Sequence, residues 1–229
     1  GGAVDKAVRD FSAEVDKCLY GKDKSSSEKV ECTYSVKTVH NDTSETTTYV
    51  ESASGVAQGD HEYVDLGLSV KWATCNVGAT TPEGYGDYFA WGETSTKTEY
   101  TEDNSKTCGS SMGDISGNSS YDAARANWGG TWRLPTKAEL EELENKCTWT
   151  WTTHNGVKGY KVTGPNGNSI FLPAAGYCRM SRLHSAGSLG YYWSSTPAKS
   201  SVYSAYDLSF YREVSVVYNE DREIGRSVR

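Results

Sequence analysis

The sequence has little of what most catalytic and metal sites are made from. Its 229 residues include four histidines, at positions 40, 61, 154 and 184, and no pair of them falls at metal-ligand spacing. His61-Glu62 does not open an HExxH motif, because Asp65 stands where the second histidine belongs. Six cysteines, at 18, 32, 75, 108, 147 and 178, contain no CxxC, which removes the common zinc arrangements. An even count allows up to three disulfides among fifteen pairings, and it equally allows free buried thiols. No GxGxxG follows a strand and no P-loop is present.

Positive charge is not in excess either. Twenty-three Lys and Arg stand against thirty Asp and Glu, a formal charge of −7, and no basic stripe marks a nucleic-acid partner. No run of eighteen apolar residues is long enough to span a membrane. The opening GGAV lacks the charged-then-apolar order of a signal peptide. The charge balance does not exclude carbohydrate or protein ligands.

What the chain does have is aromatic surface and glycine. Sixteen Tyr, seven Trp and twenty-three Gly accompany only two Met. Such a mixture suits a stiff, loop-rich surface on which aromatics supply contact area at low entropic cost.

Periodicity divides the chain near Gly59. In residues 1–59, Val4, Val8, Phe11, Val15 and Cys18 trace one stripe of an amphipathic helix over 3–19. VECTYSVKTV (30–39) and TTTYVES (46–52) read as two strands. From residue 60 the pattern becomes short strands cut by glycine. YVDLGLSVKWATCNVG gives two strands hinged at Gly67, and GDYFAWGET (86–94) gives another. The polar stretch from Thr94 to Gly117 reads as a surface loop, and YDAARANW (121–128) as a short helix.

RLPTKAELEELENKC (133–147) carries the clearest local signal. Thr136 and Glu139 form a capping box after Pro135, Leu140, Leu143 and Cys147 mark a buried stripe, and Glu142 precedes Lys146 by four residues. Beyond it, Trp149 and Trp151 share a strand face, NGVKG and GPNGN are turns, and strands are expected over 201–211, 212–218 and 225–229. The expected class is α+β, with two helices against short antiparallel strands and long loops, behind a small helix–strand–strand segment.

Three constellations suggest chemistry and each has a plainer account. Gly109-Ser110-Ser111-Met112-Gly113 is a literal GxSxG, yet polar loop sequence flanks it where a nucleophile elbow needs a strand and a helix. Glu139, Glu141, Glu142 and Glu144 spread around the wet side of a helix. Asp114, Asn118 and Asp122 offer oxygen ligands for Ca²⁺ but lack the EF-hand pattern. The reading is of a non-enzyme with no required cofactor, Ca²⁺ being the one candidate. The rival readings are a serine hydrolase using Ser111 and a pilus-like structural subunit assembled through residues 1–59.

Several longer stretches occur in one order: YVDLGLSVKWATCNVGATTPEGYGDYFAWGET (63–94), NWGGTWRLPTKAELEEL (127–143), GPNGNSIFLPAAG (164–176), GYYWSST (190–196) and GRSVR (225–229). Over residues 60–229 these resemble the Fibrobacter succinogenes major paralogous domain family of surface and secreted proteins in gut Bacteroidetes. The resemblance implies a C-type lectin-like fold related to formylglycine-generating enzymes, an exported location at the cell surface or outside the cell, and use in adhesion. The active-site cysteine pair of the enzymatic branch has no match around Cys75, Cys108, Cys147 or Cys178, so sulfatase-modifying oxidoreductase activity does not carry over. The calcium-lectin EPN, QPD and WND triplets are absent as well. Residues 177–229 are also similar to the variable region of proteins diversified by retroelements, in which a YWSST frame and a terminal SVR surround freely changing positions.

A division of labour follows from the residues. Trp193 of GYYWSST is expected as a core anchor, joined by Trp72, Trp91, Trp132 and Phe171 in an aromatic frame. Tyr177, Arg179, Arg182, His184, Tyr203, Tyr211, Arg212, Tyr218 and Arg222 are expected outside, as the surface that engages a protein or glycan on a cell or phage.

Overall fold

The computed structural model describes residues 61–212 and 214–229. The helix expected over 3–19, the strands at 30–39 and 46–52 and the boundary near Gly59 lie outside the described residues.

Short antiparallel strands dominate. Strands β1 (Tyr63–Val64) and β2 (Trp72–Ala73) pair as a minimal ribbon. Strands β3 (Thr148–His154), β4 (Val157–Thr163) and β5 (Ser169–Pro173) form one three-stranded sheet in that order. Strands β6 (Tyr177–Arg179) and β7 (Arg182–His184) form a hairpin. Strands β8 (Gly190–Pro197), β9 (Ser204–Tyr211) and β10 (Val214–Asp221) form a second three-stranded sheet ordered β10–β9–β8.

The α+β expectation with two helices is therefore corrected. Among the described residues the α-helices are α1 (Ala123–Trp128) and α2 (Lys137–Lys146), with a single 3₁₀ turn at Glu102–Asn104. The structure is mostly β in several small sheets. The physical reason is the spacing of glycines and turn residues, which cuts the described chain into short strands and leaves helix only at 123–128 and 137–146.

That helix forms as its capping box dictates. The Glu139 N–H donates to Thr136 Oγ1 (3.3 Å), and Glu139 Oε2 accepts from the Thr136 N–H (2.7 Å). Arg133 grips the same carboxylate with two bonds of 2.8 and 2.6 Å. Leu140 and Leu143 are buried, and Glu142 pairs with Lys146 at 2.9 Å. Glu142 also accepts from the Ser69 hydroxyl and backbone N–H, and these bonds with Lys146 hold its carboxyl down at about 2.

Asn155-Gly156 makes the β3–β4 turn in two residues, both with positive φ (45° and 84°), as the Asn-Gly pair predicts. The strands expected at 86–94 and 225–229 are corrected to single bridges: Phe89 with Arg226, Cys178 with Gly225 and Tyr192 with Ser227. The 94–117 loop is not wholly a surface feature, since Tyr100, Thr107 and Ile115 are buried.

One strand stands between two apolar clusters. Tyr192 packs with Trp72, Leu140, Leu143, Tyr160, Leu208 and Phe210, while Trp193 packs with Phe89, Trp91, Ile115, Trp128 and Val228. Neighbouring side chains on a strand point to opposite faces, and here both faces are interior. The expected single aromatic frame is thus divided between two clusters, with Trp132 only half-buried at the margin of the second. Trp193 is the anchor expected, 1% exposed, its indole N–H donating to the Phe89 carbonyl at 2.8 Å. Gly190 begins the strand because nothing larger fits: a Cβ there would lie 2.1 Å from Phe210 Cζ.

Thr136→Ala removes the cap and is expected to cost about 1 kcal/mol, lowering the thermal midpoint by roughly 2–4 °C. Calorimetry of the two proteins side by side checks it.

Candidate binding surface

The register of the β10–β9–β8 sheet sorts its side chains by face. Tyr191 stands opposite Ser209, and Ser209 opposite Val216; Trp193 stands opposite Asp207, and Asp207 opposite Tyr218. Tyr191, Ser209, Tyr211, Val216 and Tyr218 consequently share the face turned away from α2. Tyr211, Val216 and Tyr218 are 49%, 43% and 59% exposed on it. Arg212 is exposed beside Tyr211 at the hairpin tip.

The β6–β7 hairpin adjoins this face. Tyr177 and His184 are cross-strand partners and stack with ring centroids 5.2 Å apart, and Tyr177 meets Tyr191 edge to face at 5.4 Å. Arg179 and Arg182 face each other across the hairpin and both are exposed. The hairpin is held stiffly from behind: Cys178 exchanges two backbone bonds with Gly225 (2.7 and 2.8 Å), and Met180 two with Tyr100 (2.9 and 2.8 Å). At its tip Met180 adopts a left-handed φ of 52° with its side chain 54% exposed.

Two expected site residues are placed differently. Arg222 is not on the surface but 1% exposed, donating to the carbonyls of Ser204 (3.1 Å), Thr107 (3.0 Å) and Ser110 (2.9 Å). Its guanidinium lies 4.4 Å from the centre of the Trp91 ring, so it is a structural clamp. Tyr203 is exposed, yet it precedes β9 by one residue and so sits about 26 Å of strand away from the Tyr211 end, at 3.3 Å per residue. A Cβ on Gly109 would lie 3.6 Å from its hydroxyl, which places Tyr203 beside the 107–113 loop. Tyr177, Arg179, Arg182 and His184 gather on one hairpin, and Tyr211, Arg212 and Tyr218 on the neighbouring sheet.

Met180, Leu183, Val202 and Val216 are exposed as well, although none of them is among the expected ligand-binding residues. For Val216 a signal was available: in SVVY, alternation puts Val216 and Tyr218 on one face and Val217 on the other.

Beneath the exposed face lies a buried ion pair. Arg226 bonds Asp207 and also pairs with Glu220 at 3.2 Å, while its guanidinium sits 4.5 Å from the Tyr191 ring centre and 4.8 Å from that of Trp193. Burial lifts the Asp207 carboxyl to about 6, opposed by the attraction of Arg226.

The remaining sequence candidates are occupied by local structure. Asp122 caps α1 by accepting from Arg125 N–H (3.0 Å) and also takes the N–H groups of Gly117 (2.7 Å) and Leu134 (2.9 Å). Asp114 accepts from Ser116 N–H and Thr196 Oγ1, and Asn118 from Ser120 N–H. No group of three or more His, Cys, Asp or Glu able to hold a metal occurs among the described residues. Ser111 is exposed on irregular chain with neither a strand before it nor a helix directly after it. Cys75, Cys108, Cys147 and Cys178 are free thiols whose pKa burial raises, Cys147 to about 11. No helix among the described residues is long and apolar enough to cross a membrane.

A family model described as a domain of unknown function, DUF8237, matches residues 135–229. That span runs from α2 to the last arginine and contains the whole exposed face. No curated protein and no solved structure matches the chain.

Arg222→Ala leaves the carbonyls of Ser204, Thr107 and Ser110, the first two of them buried, without their charged donor. It is expected to cost about 3 kcal/mol and to lower the thermal midpoint by roughly 10 °C. A thermal melt distinguishes this from a surface role, for which the midpoint would not move.

Proposed function

We propose that this chain is a non-catalytic, exported ligand-binding domain whose C-terminal third displays an aromatic and arginine-rich surface to a protein or glycan. One observation carries the reading. Five of the seven exposed large apolar or aromatic side chains among the described residues, Met180, Leu183, Tyr211, Val216 and Tyr218, lie on the β6–β7 hairpin and the β9–β10 ribbon beside it, and only Val202 and Tyr203 stand apart at the far end of β9. Single exposed apolar residues scattered over a protein need no explanation, whereas clustering in one region marks an interaction surface.

Local conflicts in the same region support it. Met180 sits at a φ that favours glycine or asparagine, and Arg179 opposes Arg182 across a two-stranded ribbon. Both choices work against the stability of the hairpin. Residues that disfavour their own fold are expected where function sets the choice. Export and adhesion draw their support from the resemblance to surface and secreted proteins stated above. On the same basis, the positions between the frame elements, 177–185, 197–204, 211–213 and 218–223, are proposed as those free to change.

Replacing Tyr211 and Arg212 together with alanine tests the surface. Both side chains are exposed, and the bond that Tyr160 makes at this point is to the Tyr211 backbone carbonyl, so the fold is untouched. Binding to a ligand found on protein and glycan arrays is expected to fall by at least about tenfold, the loss of one strong anchor, with the thermal midpoint within a few degrees of the parent. Retained affinity refutes the site.

A further inference from the structure

The two edges of the β10–β9–β8 sheet are treated unequally. Along β8, the Trp193 N–H donates to the Ser227 carbonyl (3.1 Å), the Ser227 N–H to the Tyr191 carbonyl (3.2 Å) and the Ser195 N–H to the Pro135 carbonyl (2.8 Å). The β8 pairing is also interrupted between Trp193 and Pro197. That edge is covered and bent.

Strand β10 is not bent, and among the described residues no other strand pairs with its outer edge, the Glu144 side chain of α2 reaching it at Val217 alone. Its eight residues pair with β9 in unbroken register from Val214–Tyr211 to Asp221–Ser204. The strand VSVVYNED contains no proline and no basic residue. Proteins usually blunt an edge with prolines, lysines, bulges or a covering segment.

Which backbone groups the edge offers follows from register. Arg222 N–H donates to the Tyr203 carbonyl, continuing the ladder, so even-numbered residues turn their N–H and C=O toward β9. Ser215, Val217 and Asn219 turn theirs outward. The Val217 N–H donates to the Glu144 carboxylate of α2. Among the described residues, the Ser215 and Asn219 N–H groups have no partner in another element.

We propose that β10 accepts an extended segment of a partner protein as a fourth strand, one in which apolar residues alternate with lysine or arginine. This rests on reading the C-terminal third as a binding surface, and it narrows the ligand to a protein strand. A row of outward amides and carbonyls spaced two residues apart is matched by another strand and by no glycan. On the outer face, the incoming side chains lie beside Val216 and Tyr218, which are exposed and apolar. On the opposite face they meet the flank of α2 at Glu144, which reaches Val217, while Glu141 one turn back is already paired with Lys137. Apolar residues suit the first row and basic residues the second.

Charge argues against a second copy of the chain. Strand β10 brings no cation, and self-pairing about Val217 would place two Glu144 carboxylates together at the symmetry axis. A foreign basic strand replaces the Glu144–Val217 bond with an ion pair.

Hydrogen exchange on the full chain tests the proposal, using a synthetic ten-residue peptide of alternating valine and lysine. The Ser215 and Asn219 amides are expected to exchange at least about tenfold more slowly with the peptide present. The same peptide N-methylated throughout, which cannot donate, is expected to have no effect. Glu144→Gln is expected to weaken the lysine peptide about two- to fivefold, the range of an exposed ion pair. Absence of protection, or equal protection by the methylated peptide, overturns the proposal. So does a concentration-dependent dimer, seen in sedimentation, that protects the same amides without peptide. If the peptide fails while the Tyr211/Arg212 double variant still loses its array ligand, strand addition is wrong and the binding surface stands.

Discussion

Arg222, Arg226 and Arg229 lie within eight residues of chain, each no more than 5% exposed, and each would be ruinous to bury alone. What makes their burial tolerable also gathers the structure. Arg222 reaches carbonyls of the 107–110 loop, Arg226 bonds Asp207 in the middle strand of the sheet, and Arg229 takes the carbonyls of Ala73 and Thr74 and the Asn76 side chain. Segments more than a hundred residues apart are thus drawn to one terminal stretch. Two of the guanidiniums also lie over aromatic rings, Arg222 over Trp91 and Arg226 over Tyr191 and Trp193, so charge satisfaction and aromatic packing are settled together.

That arrangement separates shape from display. Strand β8 has no outer face at Tyr192 and Trp193, because an apolar cluster lies on each side. Two strands away, β10 keeps Val217 against the core and turns Val216 and Tyr218 to solvent. The sheet therefore grades from fully interior to half-exposed across about 10 Å, two strand spacings. The β6–β7 hairpin is fixed to the same frame through Gly225 and Tyr100, so its exposed side chains are held on a rigid support.

Much of this was legible from local signals. The capping box at Thr136, the Asn155-Gly156 turn and the interior position of Trp193 each follow from a short-range rule, and each is found. The α+β class was not legible correctly. Short strands separated by glycine carry weak periodicity, and the rest of the chain could not be weighed against one well-marked helix. The surface was read through residue type, which placed Tyr211, Arg212 and Tyr218 correctly and Arg222 wrongly. Nothing in YNEDREIG distinguishes a displayed arginine from a buried one, because the carbonyls that Arg222 satisfies lie far away in sequence. Exposed Val216 was overlooked for the opposite reason: valine is normally interior, and only the pairing register reveals its side.

The β9–β10 ribbon runs eight pairs without a slip and turns back between Tyr211 and Val214. Side-chain direction alternates strictly along such a ribbon, so a single inserted or deleted residue between the tip and Arg222 would invert every position beyond it. Val217 would swing out of the core, Tyr218 would be driven in, and the guanidinium of Arg222 would lose its carbonyls. The exposed side chains of this ribbon can be exchanged without moving its backbone, but its length is not negotiable.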